Sequence, residues 1–178
     1  MILGKIIGKT LTTNFKFLVS GDAKKFDYVQ VMHKDVGYVL AQITEIEKNG
    51  KETIAYCDII GYREKDGSLK NLRTPLDPEC EVLRASDDFI KKTLGFEEGK
   101  NKIYIGTLEG RKNLKVYLDL NKLLTKHISV LAKSGSGKSY FCSVLVEELL
   151  EKNVPVLCLL YTSPSPRDLS TSRMPSSA

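Results

Sequence analysis

Paired cysteines are missing from this chain. Cys57, Cys80, Cys142 and Cys158 are widely spaced, and no two stand as CxxC. That spacing argues against a zinc site or a disulfide framework and for reduced, structural thiols. Long apolar runs are missing too. No stretch approaches the ~18 residues needed to cross a bilayer. The opening MILGKIIGKT has neither the apolar core nor the cleavage site of a secretory signal. A cytoplasmic protein without a membrane partner is the expectation. A strong charge of either sign is also lacking: 27 Lys and Arg against 22 Asp and Glu leave +5 over 178 residues. The basic doublets Lys24-Lys25, Lys91-Lys92 and Arg111-Lys112 are scattered, which reads as solvated faces rather than a nucleic-acid stripe.

What is present suits a globular fold, with 42% hydrophobic and 28% charged residues. Residues 1–85 alternate apolar and polar at period two in short runs: FKFLV (15–19), DYVQVMH (27–33), VGYVLAQITEIE (36–47), TIAYCDIIGYR (53–63) and EVLRA (81–85). Asn49-Gly50 reads as a type I′ hairpin turn, Asp66-Gly67 as another turn, and RTPLDPE (73–79) as loop. Such a series predicts a small antiparallel barrel. Phe15, Phe17 and Tyr28 read as ordinary sheet residues, without the aromatic and basic platform of a single-strand binder. Ser86, Asp87-Asp88 and Gly95 bracket a short helix as N-cap, first turn and C-terminal stop. IYIGTL and LKVYLDL then read as a hairpin.

The next stretch carries the chemistry. HISVLA (127–132) reads as a strand, KSGSGKS as a loop, YFCSVLVEELLEK as a helix with Phe141, Val144, Leu145 and Leu149 on one stripe, and VPVL (154–157) as a strand. Strand, glycine-rich loop, helix and strand in that order make a βαβ unit. Glycines let the backbone turn its N–H groups onto phosphate oxygens, and the helix N-terminus adds positive potential. Lys138 then reaches the β- and γ-phosphates, and Ser139 offers its hydroxyl to Mg²⁺. The pattern is GxxxxGK[ST] with one departure, Ala132 in place of the first glycine. His127 and His33 have no carboxylate or cysteine placed to complete a metal site and read as structural.

From Cys158 the composition turns to serine and proline, and periodicity stops. CLLYTSPSPRD followed by SRMPSSA resembles the conceptual translation of a transposon-type sequencing adapter. The expectation is a non-native, disordered tail over 158–178, with the natural reading frame interrupted near Leu157.

The run VYLDLNKLLTKHISVLAKSGSGKSYFCSVLVEELLEKNVPVL resembles the start of the ATPase domain of the HerA family, in the HerA/FtsK branch of P-loop motors. The β-rich region before it resembles that family's HAS barrel. The expected organisation is α+β: a HAS-like barrel with a short helix over 1–100, a connecting hairpin over 101–120, and the first βαβ unit of a RecA-like domain over 121–157. The resemblance implies ATP and Mg²⁺ as cofactors and Ser134, Gly135, Ser136, Gly137, Lys138, Ser139 and Tyr140 as nucleotide-binding residues, with Lys138 also catalytic and Ser139 the Mg²⁺ ligand. It implies a homo-hexameric helicase or translocase on duplex DNA, working with a NurA-type nuclease in double-strand-break repair. No candidate for the Walker-B acidic pair or the arginine finger occurs in the chain. Phosphoryl transfer needs such groups, so the fragment is expected to bind ATP without useful turnover. Two other readings stay open: a conjugation- or secretion-type ATPase, and a barrel binding module with a non-hydrolytic nucleotide site.

Overall fold

The computed structural model describes residues 1–159, so nearly all of the expected tail lies outside the described residues. The chain divides into two compact units, Met1–Ser129 and the residues from Val130 onward.

The first unit is built on β1 (Ile2–Ile6), β2 (Asn14–Val19), β3 (Tyr28–His33), β4 (Gly37–Asn49), β5 (Glu52–Arg63), β6 (Leu69–Lys70) and β7 (Glu81–Arg84). Six of these close a ring in the order β2, β1, β7, β3, β4, β5, with β5 pairing back onto β2 and β6 added beside β5. Every pairing is antiparallel. Closure leaves the six strands no free edge, and period two sends alternate side chains inward. Leu3, Ile6, Phe15, Phe17, Val29, Val31, Val39, Ala41, Ile43 and Val82 fill the interior. Phe15 and Phe17 are therefore core, with ring centroids 6.5 Å apart. Gly4 is dictated by space: a Cβ there would stand 1.9 Å from the Leu18 carbonyl oxygen, so only glycine lets β1 lie against β2.

The loop over 71–79 closes the barrel interior with Leu72 and Leu76, only 6% and 1% exposed. Thr10 donates to the Leu76 carbonyl at 2.8 Å. His33 anchors the same loop. Its Nδ1 accepts the Asp35 backbone N–H at 3.1 Å, which leaves Nε2 to donate to the Thr74 hydroxyl oxygen at 3.0 Å. This buried histidine is structural, as its sequence context implied.

The β4–β5 connection corrects the expected turn. Asn49 pairs with Glu52, so the central residues are Gly50 and Lys51, and only Gly50 has positive φ (+60°). That is the type II′ sign pattern, which asks for glycine at the first central position.

A helix and a second sheet cover the barrel's outside. α1 (Asp87–Leu94) starts at Ser86, whose hydroxyl accepts the Phe89 N–H, and stops at Gly95 with φ +75°. β8 (Lys102–Leu108) and β9 (Arg111–Asp119) form the expected hairpin. Ile90 from α1 and Leu114 from β9 meet Leu40 and Ala85, with Tyr28, Phe89 and Leu108 packed around them. Arg111 is not a solvated cation: it bonds the Asp87 carboxylate and donates to the Ala85 carbonyl at 3.0 Å. A short helix absent from the sequence reading, α2 (Leu120–Thr125), follows, capped by the Asp119 carboxylate on the Lys122 N–H.

The second unit centres on α3 (Lys138–Glu151). The α+β class and the N-terminal barrel stand as expected. The two strands expected beside this helix do not: residues 127–132 and 154–157 pair with no strand among the described residues. An apolar run becomes a strand only when a neighbour takes its backbone hydrogen bonds, and neither run meets one. His127 is accordingly exposed rather than at a strand edge.

Candidate nucleotide-binding site

The loop before α3 is made of two consecutive reversals. Ser136 N–H donates to the Lys133 carbonyl at 3.2 Å, closing a four-residue turn. Gly135, third in that turn, has φ +77°, the sign a type II turn requires there. The Ser136 hydroxyl donates to the same carbonyl at 2.6 Å and braces the turn. Gly137 then takes φ +88° as the N-cap of α3 and offers no side-chain cap. Nothing lies within 4 Å of a Cβ placed on either glycine, so it is backbone conformation rather than space that asks for glycine.

An uncapped helix start has a direct consequence. The first bond within α3 runs from Phe141 N–H to the Gly137 carbonyl at 2.9 Å. The N–H groups of Lys138, Ser139 and Tyr140 have no acceptor among the described residues. Helix N-termini normally satisfy these donors with a side chain, water or an anion. The same three residues line a concavity of about 510 Å³.

Six of the seven residues singled out from the sequence line this concavity: Ser134, Gly135, Gly137, Lys138, Ser139 and Tyr140. Ser136 does not; its hydroxyl bonds the Lys133 carbonyl inside the turn. Ala132 and Lys133 complete the wall. Lys133 escaped the sequence reading, although a second lysine five residues before Lys138 was visible in AKSGSGKS. The lining contains two lysines and no carboxylate. Neither ammonium has an ion-pair partner among the described residues, and the Ser139 hydroxyl has no hydrogen-bond partner there. Tyr140 is 77% exposed.

Backbone donors, cations and one free hydroxyl around an acid-free hollow fit a polyphosphate. They fit Mg²⁺ only through the phosphates and Ser139, since no group of three or more His, Cys, Asp or Glu side chains able to hold a metal occurs among the described residues. The thiols add nothing here. Burial pushes Cys57 far up, and Cys80 is raised for the same reason, so neither is a ready nucleophile.

A closed antiparallel barrel followed by a glycine-rich loop seated on a helix N-terminus defines an α+β chain of the P-loop type. The chain is HerA-like. Residues 103–159 match the family model of the HerA helicase central domain. A protein of Methanocaldococcus jannaschii described as a probable DNA double-strand break repair helicase HerA is 33% identical over 159 residues, covering 89% of this chain and 31% of that protein. The DNA double-strand break repair helicase HerA of Pyrococcus furiosus is 30% identical over 138 residues, covering 78% of this chain and 23% of that protein. An uncharacterized protein of Aquifex aeolicus is 34% identical over 116 residues, covering 62% of this chain and 42% of that protein. The chain thus spans less than half the length of each of these relatives. No helix among the described residues is long and apolar enough to cross a membrane.

Proposed function

We propose that the chain carries the ATP-binding loop of a DNA helicase or translocase that acts on duplex DNA ends in double-strand-break repair. The observation that carries the reading is the acid-free hollow lined by Lys138, Ser139 and Tyr140, whose three backbone N–H groups have no acceptor among the described residues. The names of the archaeal relatives support the DNA-repair setting. Lys138 holds the β- and γ-phosphates, and the N–H groups of α3 bind the phosphate oxygens along the helix axis. Ser139 takes one Mg²⁺ position. Mg²⁺, when bound, neutralises charge on the phosphoryl oxygens. Gly135, Gly137 and Ser136 shape the loop, and Tyr140 adds its backbone N–H. Hydrolysis further requires groups that orient water and add positive charge to the γ-phosphate, and no residue of this chain is assigned to either task. The 178-residue chain therefore binds nucleotide without sustained turnover. The complete motor assembles as a homo-hexamer and works with a NurA-type nuclease in the cytoplasm.

Titration of a fluorescent ATP analogue in Mg²⁺ buffer tests the site. Lys138→Ala is expected to weaken binding at least about tenfold, the scale of a lost hydrogen bond to a charged group. Equal affinity of the two proteins would end the reading. Steady ATP turnover that disappears in Lys138→Ala would overturn the statement about hydrolysis while leaving the site intact.

A further inference from the structure

The proposed site has one cation that the phosphate-loop pattern does not assign. We infer that Lys133 is a second phosphate-binding lysine, which contacts the terminal phosphate and makes the site prefer nucleoside triphosphate over diphosphate. The inference rests on the nucleotide-binding reading above and extends it to ligand discrimination.

Three observations carry it. Lys133 lines the same hollow as Lys138. Its position is set by the loop itself: its carbonyl accepts both the backbone N–H (3.2 Å) and the hydroxyl (2.6 Å) of Ser136, so the residue bearing the second ammonium is pinned at the start of the turn. Its ammonium is uncommitted, since no carboxylate lines the hollow and no ion pair involves it among the described residues. A surface lysine is usually placed to be solvated or paired with an acid. This one is exposed and shares an acid-free hollow with another lysine, which raises the local positive potential and favours an anion there.

The two lysines occupy opposite ends of the loop. Lys138 opens α3, where the free N–H groups lie, and Lys133 precedes the turn. A polyphosphate that starts on the helix end meets Lys133 last. A triphosphate carries one more phosphoryl group than a diphosphate, and on this inference that extra group is the one the second ammonium binds. Removing Lys133 should therefore weaken triphosphate binding and leave diphosphate binding nearly untouched. A generic contribution to positive potential would weaken both.

The experiment uses the full chain and compares ATP with ADP, each with Mg²⁺, by isothermal titration or by displacement of a fluorescent nucleotide. Wild type, Lys133→Ala, Lys133→Arg and Lys138→Ala are measured side by side, with circular dichroism as a check that each folds. The expected result is about a tenfold loss of ATP affinity in Lys133→Ala, the scale of a lost hydrogen bond to a charged group, with ADP changed less than about twofold and ATP affinity largely restored in Lys133→Arg. Equal losses for ATP and ADP, or no loss for either, overturn the inference. If Lys138→Ala abolishes binding and Lys133→Ala does nothing, only the second lysine fails. If wild type binds neither nucleotide, the phosphate-loop reading fails with it.

Discussion

Phe26 has φ +71° and a ring 53% exposed, a conformation that glycine or asparagine adopts easily and a bulky residue does not. It is the third residue of a turn closed by Asp27 N–H on the Lys24 carbonyl at 3.1 Å. The Asp27 carboxylate reinforces that turn by accepting the Lys24 N–H, also at 3.1 Å. Such strain costs on the order of 1–3 kcal/mol, and the ring recovers little of it, with the Lys25 ammonium 5.5 Å from its centroid. Phe26→Gly is therefore expected to raise stability by roughly 0.5–1 kcal/mol, after allowing for glycine's larger unfolded-state entropy. A lower urea midpoint would show that the ring does more than the contacts indicate. Leu76 presents the opposite case. It looked like part of a loop, yet it is 1% exposed inside the barrel end. Leu76→Ala should cost about 2–5 kcal/mol, readable as a fall in the same midpoint.

At the scale of elements, local signals set boundaries and distant partners set positions. Ser86 and Gly95 bound α1 as their residue types suggested, but Arg111 is what holds β9 against that helix, through Asp87 and the Ala85 carbonyl. Arg111→Ala should loosen the hairpin at a cost of about 1–3 kcal/mol, because it strips a charge-assisted bond and leaves a carbonyl unpaired. Unchanged hydrogen exchange at Leu114 in that variant would count against the assignment. The turn between β5 and β6 titrates. Asp66 accepts the Ser68 hydroxyl at 2.6 Å and the Ser68 N–H at 2.8 Å, and these bonds hold its carboxyl below the usual range. A group whose pKa is lower when folded adds stability above its unfolded pKa and loses it as pH falls through the folded value. Asp66→Asn is thus expected to lower stability above the unfolded pKa, where the ionised carboxylate contributes, and to converge on wild type as pH falls through the folded value, so that the acid side of the stability–pH curve flattens. A variant curve parallel to wild type throughout would contradict this.

Over the whole molecule, burial is uneven. Both apolar clusters lie within Met1–Ser129, and no described residue from Val130 onward is buried. Phe141, Val144, Leu145 and Leu149 form the expected apolar stripe on α3 but stay half-exposed. Most helical stability in proteins comes from covering such a stripe. Amides of α3 should therefore exchange much faster than those of β4 and β5, and a chain limited to residues 1–129 should melt within a few degrees of the full chain. Protection of α3 equal to that of the barrel would refute this view of where the stability lies.

Period-two alternation marked nearly every barrel strand, cap residues marked α1, and glycine spacing marked the loop at Gly135 and Gly137. Each is a short-range property, because strand period, helix caps and positive φ are decided within a few residues. Nothing local could show that β5 returns to β2 and closes the ring, or that Leu72 and Leu76 seal its end. The register that moved the hairpin turn to Gly50 and Lys51 was settled by pairing between two whole strands, and a shift of one residue would send each side chain to the wrong face. The same holds for Lys133. Its lysine is plain in the sequence, but its place in the same acid-free hollow as Lys138 comes from a turn whose hydrogen bonds only the folded chain makes.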